Sequence, residues 1–491
     1  MFTLHNNAMP DDLKLKTART LKWNTFDRLS SQVLYAVTGI VLANLLTKQE
    51  FGLVGAIMVF QAFATLFVDS GFSNALIQRK SPTDTDYSTV FYFNVGVSVI
   101  IYAVLWLSAP LIDALFNAGG ELIPLSRVMF LSFILNATAI VQTNRLMKQM
   151  NVRMIAVSNT SGLVVSGALG VWLALEGWGA WAIVWQSVTL SAVKSLILWL
   201  SSSWLPKAVF SIGSLRSIFA VGIGIMTSSF LNILFQNIYS FIIGAYYNLS
   251  HLGCYTQADK WSKMGVTSLS QTVSASFLPL LSGCQDDSVR FHRMMSKTHR
   301  FTAYITFPCL VLLIISSESI FHTLFGTKWD DAILLFRLLT ARGVFVVLTS
   351  LYNVHLTAIG APRRLVQTEA AKDILAVAAI IATIPFGIEW LVGGQVIAAA
   401  IHYCYSLWLT ARTTSYRVTA MLGELMPYFL LTLLSALPAM FITACLNDCS
   451  AVLQLAAQIA TFGVAYMAAN HLLHSKMQRD VLTYALGRFR R

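Results

Sequence analysis

Residues 50–80 read EFGLVGAIMVFQAFATLFVDSGFSNALIQRK. From Phe51 to Val68 this stretch carries no charge, and charge returns as Asp69 and then as the pair Arg79 and Lys80. A hydrocarbon core about 30 Å thick is crossed by about 20 helical residues, so an uncharged run of this length bounded by ionic residues reads as one membrane-spanning helix over 51–75.

Working outward, the same punctuation recurs along the chain. It predicts spans near 24–46, 88–115, 123–146, 154–175 and 179–201 on either side of the first. After a polar, hinge-like connection at 202–215, further spans follow near 217–246, 252–282, 300–325, 332–358, 365–386 and 390–411. Two more, near 424–446 and 451–473, precede a basic tail. The expectation is an all-α integral membrane protein of about fourteen transmembrane helices. Composition agrees: 56% of the 491 residues are hydrophobic and only 11% are charged, against roughly 25% charged in a soluble domain.

The net charge of +12 does not indicate a nucleic-acid partner, because the cations lie along span edges rather than on one basic face of a soluble domain. Of the 34 Lys and Arg, 24 fall in the N-terminal arm, alternate connections and the tail, counting Arg145 and Arg300 at the adjoining span edges, and only Lys48 and Lys328 fall in the opposite connections. Positive loops stay on the cytoplasmic side, which predicts both termini in the cytoplasm and an even number of helices. The N-terminal arm lacks a cleavage-type small-residue motif and reads as a retained segment. The six cysteines show no C-x-x-C spacing and read as small core residues, Cys445 and Cys449 at a predicted outer loop included.

The first six spans can be laid on the second six at an offset of 201 to 211 residues. LIDALF at 111–116 then overlies SIFHTLF at 319–325, and Arg127 overlies Arg337. Two like-oriented six-helix lobes related by a parallel pseudo-repeat follow, with a terminal helix pair. The expected division is an arm at 1–22, an N-lobe at 23–211, a C-lobe at 212–413, helices thirteen and fourteen at 414–474 and a tail at 475–491.

The stretch from Phe51 to Lys80, with SPTDTDYSTVFYFN after it, resembles the polysaccharide-exporting branch of the multidrug/oligosaccharidyl-lipid/polysaccharide flippase superfamily, close to the colanic-acid-exporter type. The segments LGCYTQADKWSKM at 252–264, FLPLLSGCQDD at 277–287 and LFGTKWDDA at 324–332 are similar to that family's corresponding segments, so the resemblance covers the first twelve spans. It implies a bacterial inner-membrane flippase that moves an undecaprenyl-diphosphate-linked oligosaccharide to the periplasmic leaflet for surface polysaccharide assembly. It also implies membrane lipids as surroundings and a polysaccharide polymerase with chain-length machinery as partners.

A charge at the centre of a spanning helix costs about 2.5–3.5 kcal/mol on insertion scales, so each one is a candidate functional residue. Lys260 and Lys263 share a helical face beside Asp259, and Arg342, Arg337 and Arg127 lie within later and earlier spans. A diphosphate must be desolvated against cations, which Arg forks suit, so these residues with Arg28 form the candidate substrate-binding set of a cationic central cavity. The competing reading pairs them with Asp259, Asp69 or backbone carbonyls to lock helices together, or lets Arg127 and Arg337 reach the outer headgroups. Asp69 is the candidate for coupling to a proton or sodium gradient; otherwise it partners a cavity lysine. Glu369, Lys372 and Asp373 read as a self-neutralising cluster, and His402 as a hydrogen-bonded rather than metal-binding residue.

No G-x-x-x-x-G-K-[ST] loop is present, so the chain carries no ATPase of that type, and no cofactor is expected. Two rival functions remain. A multidrug exporter of the same superfamily would prefer an acidic cavity, and an O-antigen polymerase or ligase would need a sizeable catalytic loop outside the membrane.

Overall fold

The computed structural model describes residues 11–69, 76, 79, 81–446, 449–475 and 477–479, with the side chains of 11–18, 21, 66–69 and 217–228 outside the described set. The helices are α1 (Asp11–Leu45), α2 (Lys48–Asp69), α3 (Asp84–Leu115), α4 (Leu122–Met129), α5 (Leu131–Lys148), α6 (Val152–Leu175), α7 (Ala180–Ser201) and α8 (Ile212–Ile242). They continue as α9 (Leu249–Ser282), α10 (Ser288–Ile315), α11 (Ser317–Phe325), α12 (Asp330–Ala358), α13 (Pro362–Thr383), α14 (Ile388–Thr414), α15 (Val418–Cys445) and α16 (Ala451–Leu472). All but α4 and α11 have 18 residues or more, and among the described residues 8 helical segments are long and apolar enough to cross a membrane. The fold is an all-α integral membrane fold.

A helix overlies each expected span as far as the described residues reach, residues 70–75 of the span expected at 51–75 lying outside them, and three differences stand out. Helix α1 begins at Asp11, well before the expected start at 24, because a polar helix outside the bilayer offers no hydropathy contrast. The span expected at 123–146 is broken at Phe130, between α4 and α5. The span expected at 300–325 is a helix beginning at Ser288 and a short second piece after Ser316.

The chain forms two compact units, Met1–Gly253 and Cys254–Arg491, with α8 in the first. In the first unit, α6 packs between α1 and α7, α5 against α3 and α7, and α2 against α8. Lipid tails are as apolar as leucine, so close approach of small residues replaces hydrophobic collapse as the packing force. Gly167 and Gly170 of α6 illustrate this: a Cβ would lie 2.5 Å from Thr38 Cγ2 and 3.1 Å from Gln186 Cβ, respectively.

The connection expected as a hinge at 202–215 ends at 211, with α8 beginning at Ile212, and is stitched to α3. Lys207 N–H donates to Ser88 Oγ (3.0 Å), Ser211 N–H donates to Thr89 Oγ1 (3.1 Å), and the Ser214 hydroxyl donates to Asp86. Helix α3 itself starts with a reciprocal cap: Asp86 N–H donates to Thr83 Oγ1 (3.2 Å) and Thr83 N–H to Asp86 Oδ2 (2.8 Å). At its other end, the buried Asp113 carboxylate accepts from Gly120 N–H (2.8 Å) and Leu122 N–H (3.0 Å), fixing the turn into α4.

In the second unit, α12 packs against α10 and α14, α13 against α14, and α15 against α10 and α16. The terminal pair is anchored by Tyr466, whose hydroxyl donates to Tyr304 O (3.0 Å), and by Gln458, whose amide donates to Ile315 O (3.3 Å). Cys254 and Cys284 are buried, whereas Cys309, Cys404, Cys445 and Cys449 are exposed, and all six are free thiols. Four of the six are thus not core residues: in lipid an apolar thiol gains nothing from being turned inward.

Candidate functional site

Lys260 and Lys263 lie in the middle of α9, and Arg342 in the middle of α12. The two helices touch through small side chains: the Thr340 hydroxyl donates to Ser262 Oγ (3.3 Å), both buried, and a Cβ on Gly343 would lie 2.2 Å from Val266 Cγ2. At 100° per residue, Lys260 stands about 160° around α9 from Ser262, so it faces away from this contact line. Its side chain is exposed, with Nζ 5.3 Å from the ring centroid of Trp261.

Lys263 is different. Its Nζ lies 2.6 Å from Asp259 Oδ2, a pair one turn apart on the same helix. The helix-locking reading therefore describes Lys263, whose charge is balanced locally, while Lys260 has no carboxylate within 4.0 Å among the described residues.

Arg342 is half-buried and likewise in no ion pair among the described residues. Its Nη1 donates to Gln395 Oε1 (2.9 Å), and Gln395 Nε2 donates to the Tyr255 hydroxyl (3.3 Å). Both Gln395 and Tyr255 are buried. A neutral amide orients the guanidinium while leaving its charge and its remaining N–H donors uncommitted, which is what an anion-binding arginine requires.

The other candidates are spoken for or stand apart. Arg337 Nε donates to Ser317 Oγ (2.6 Å) and its Nη2 sits 3.3 Å from Glu318 Oε2, which ties α12 to α11. Arg127 lies 3.9 Å over the Trp106 ring, with Nε donating to Trp106 O (3.4 Å). Arg28 is exposed on α1, and its neighbour Asp27 accepts from Asn159 Nδ2 at 3.3 and 3.1 Å. Asp69 ends α2, and its side chain lies outside the described residues.

Lys372 pairs with Glu369 and, at 3.8 Å, with Asp373, the self-neutralising cluster expected from sequence. His402 Nε2 lies 3.0 Å from Thr368 O, a hydrogen bond as expected. Gln142 of α5 is fully buried and neither side-chain polar atom has a partner among the described residues.

Sequence reasoning missed one polar group altogether. His299 of α10, His355 of α12, Glu424 of α15 and Tyr416 meet in the second unit, with His299 Nδ1 3.0 Å from Glu424 Oε2 and the Tyr416 hydroxyl donating to Glu424 Oε1 at 2.7 Å. Burial and the carboxylate beside it push the Tyr416 phenol up to about 12. The available signal was Glu424, a carboxylate at the head of an apolar run with no cation one turn away in its own helix.

Comparison with known proteins supplies the context. A family model described as Polysaccharide biosynthesis protein matches residues 41–334. Teichuronic acid biosynthesis protein TuaB of Bacillus subtilis strain 168 is 24% identical over 455 residues, 91% of this chain and 93% of that protein. Lipopolysaccharide biosynthesis protein WzxC of Escherichia coli K12 is 24% identical over 335 residues, 68% of each chain. Among solved structures, lipid II flippase MurJ in an inward closed conformation shares the fold with a TM-score of 0.73 at 14% identity, covering 91% of this chain and 99% of that one. An inward-facing multidrug resistance transporter of the MATE family follows with a TM-score of 0.61 at 16% identity, covering 78% of this chain and 96% of that one. At these identities the structural likeness is one of fold.

Proposed function

The chain belongs to the polysaccharide biosynthesis protein family, and from that premise we propose that it is a flippase for a polyprenyl-diphosphate-linked oligosaccharide, working by alternating access in the bacterial inner membrane. The observation that carries the substrate class is the pair of uncompensated cations, Lys260 on α9 and Arg342 on α12. A diphosphate entering a low-dielectric passage loses its hydration, and fixed cations offset that loss. The likeness in fold to a lipid II flippase, and the polysaccharide-assembly names of the relatives, support the same reading.

The termini and the basic connections lie in the cytoplasm on this reading, where anionic lipids hold them. A polysaccharide polymerase receiving the lipid-linked product on the other side completes the scheme. Coupling to an ion gradient through Asp69 remains part of the proposal.

The rivals fit less well. A polymerase or ligase would need a catalytic loop, yet the connections facing away from the basic side are short; among the described residues 116–121 and 243–248, of six residues each, are as long as any. A drug exporter for cationic compounds would favour carboxylates where Lys260 and Arg342 stand. Deleting the gene and extracting lipid-linked saccharides tests the proposal. The flippase reading expects the glycan-loaded polyprenyl diphosphate to accumulate and to clear on re-expression. Unchanged lipid pools together with hypersensitivity to cationic dyes would favour the exporter.

A further inference from the structure

The buried histidine cluster belongs to none of the machinery above. His299 and His355 are both 0% exposed and Glu424 is 8% exposed. The protonation of His355 can be worked out from its neighbour. Thr298 Oγ1 donates its single proton to Met295 O (2.9 Å), so at 3.1 Å from His355 Nε2 it must be the acceptor. Nε2 therefore carries the proton and Nδ1 presents a lone pair. That Nδ1 has no hydrogen-bond partner among the described residues.

His299 faces Glu424 through Nδ1, which donates to the carboxylate. Its far nitrogen, Nε2, is also without a partner among the described residues. Two buried, unpartnered ring nitrogens thus belong to rings whose centroids are 5.1 Å apart, with one carboxylate in contact with one of them. Leaving buried polar atoms unpaired is costly, and such atoms call for an account beyond packing.

We infer that Glu424, His299 and His355 form a proton-binding site that takes up one proton as a unit. Proton uptake makes one N–H bond, at His299 Nε2, and the proton comes from water. The resulting imidazolium is balanced by the Glu424 carboxylate at 3.0 Å. A second proton on His355 would stand across the 5.1 Å ring separation from the first and is opposed by it, so the two imidazoles share a single proton.

The charged and titratable groups around the site come from every packed element. From α10, Arg300 reaches within 4.0 Å of Glu424 Oε1 but is 39% exposed, so water screens it, and His292 stacks near Tyr416 at 5.1 Å. From α12, the Tyr352 ring lies 5.7 Å from His299, and its hydroxyl donates to Tyr403 of α14 (3.4 Å). From the α14–α15 connection, Tyr416 donates to Glu424. With the proton bound, α10 and α15 are tied by a buried ion pair; without it, the carboxylate keeps the neutral His299 Nδ1–H, Tyr416 and Ser296 as donors, and the tie between the helices weakens from an ion pair to a hydrogen bond. The inference does not depend on the flippase reading.

The test is histidine-selective isotope labelling of the full chain in lipid nanodiscs, with the ring signals of His299 and His355 assigned by H299Q and H355Q. Between pH 8 and pH 5, the range imidazoles sample, the His299 signal should convert from neutral ring to imidazolium. In E424Q, which removes the balancing anion, the conversion should move to lower pH by about one unit or more. Should E424Q fail to fold, Y416F carries the same test with opposite sign: a carboxylate relieved of its phenol donor holds the imidazolium more strongly, moving the conversion to higher pH. Ring signals that stay constant across the range, or a conversion unmoved in whichever variant folds, would overturn the proton site.

Discussion

Gly52 and Gly253 stand 201 residues apart and make mirror-image contacts: a Cβ on Gly52 would lie 1.8 Å from Leu249 O, and one on Gly253 would lie 1.9 Å from Lys48 O. Lys48 and Leu249, the first residues of α2 and α9, are themselves 201 apart. The offset is the lower bound of the one proposed for the internal repeat.

Because backbone oxygens stand in the way, G52A and G253A must push the helices apart. Each should destabilise the protein by about 1–3 kcal/mol, the range for overpacking a tight contact. The double variant should cost less than the sum, since the first substitution already opens the contact the second would crowd. Thermal unfolding of the purified protein in detergent reads both effects.

The turn between α3 and α4 depends on one carboxylate. D113A leaves Gly120 N–H and Leu122 N–H without an acceptor and should cost about 2 kcal/mol, whereas D113N, with one acceptor oxygen, should cost less. Limited proteolysis within 116–121 should rise in the same order.

The cations divide by role. R127A removes a cation–π contact with Trp106 and should cost about 0.5–1 kcal/mol of stability with transport largely retained. R337A should behave similarly, since its bonds to Ser317 and Glu318 are structural. R342K retains the charge but loses the fork that Gln395 orients, and should weaken apparent substrate affinity by about tenfold. Concentration dependence of flipping by purified protein separates the last case from the first two.

The reading from sequence succeeded where lipid is the solvent and failed where tertiary contact decides. The all-α membrane fold was legible because a spanning helix must hide its backbone over a fixed thickness, which leaves long apolar runs in the sequence. The breaks at Phe130 and Ser316 were not, since neither carries the Pro or Gly that marks an interruption. Lys263 with Asp259 was visible as a pair one turn apart. The Arg342–Gln395 bond joins residues 53 apart and the His299–Glu424 contact residues 125 apart; no local pattern announces either, because each forms only when separate helices pack.

The most direct measurement of the central claim is leaflet exposure of a polyprenyl-diphosphate oligosaccharide in proteoliposomes, read with a membrane-impermeant glycosidase. With the wild-type chain the whole pool should become cleavable, whereas K260Q/K263Q/R342Q, inserted at equal density, should leave about half protected, as protein-free vesicles do. Full cleavage with the triple variant would contradict the cationic site, and half protection with the wild-type chain would contradict the flippase itself.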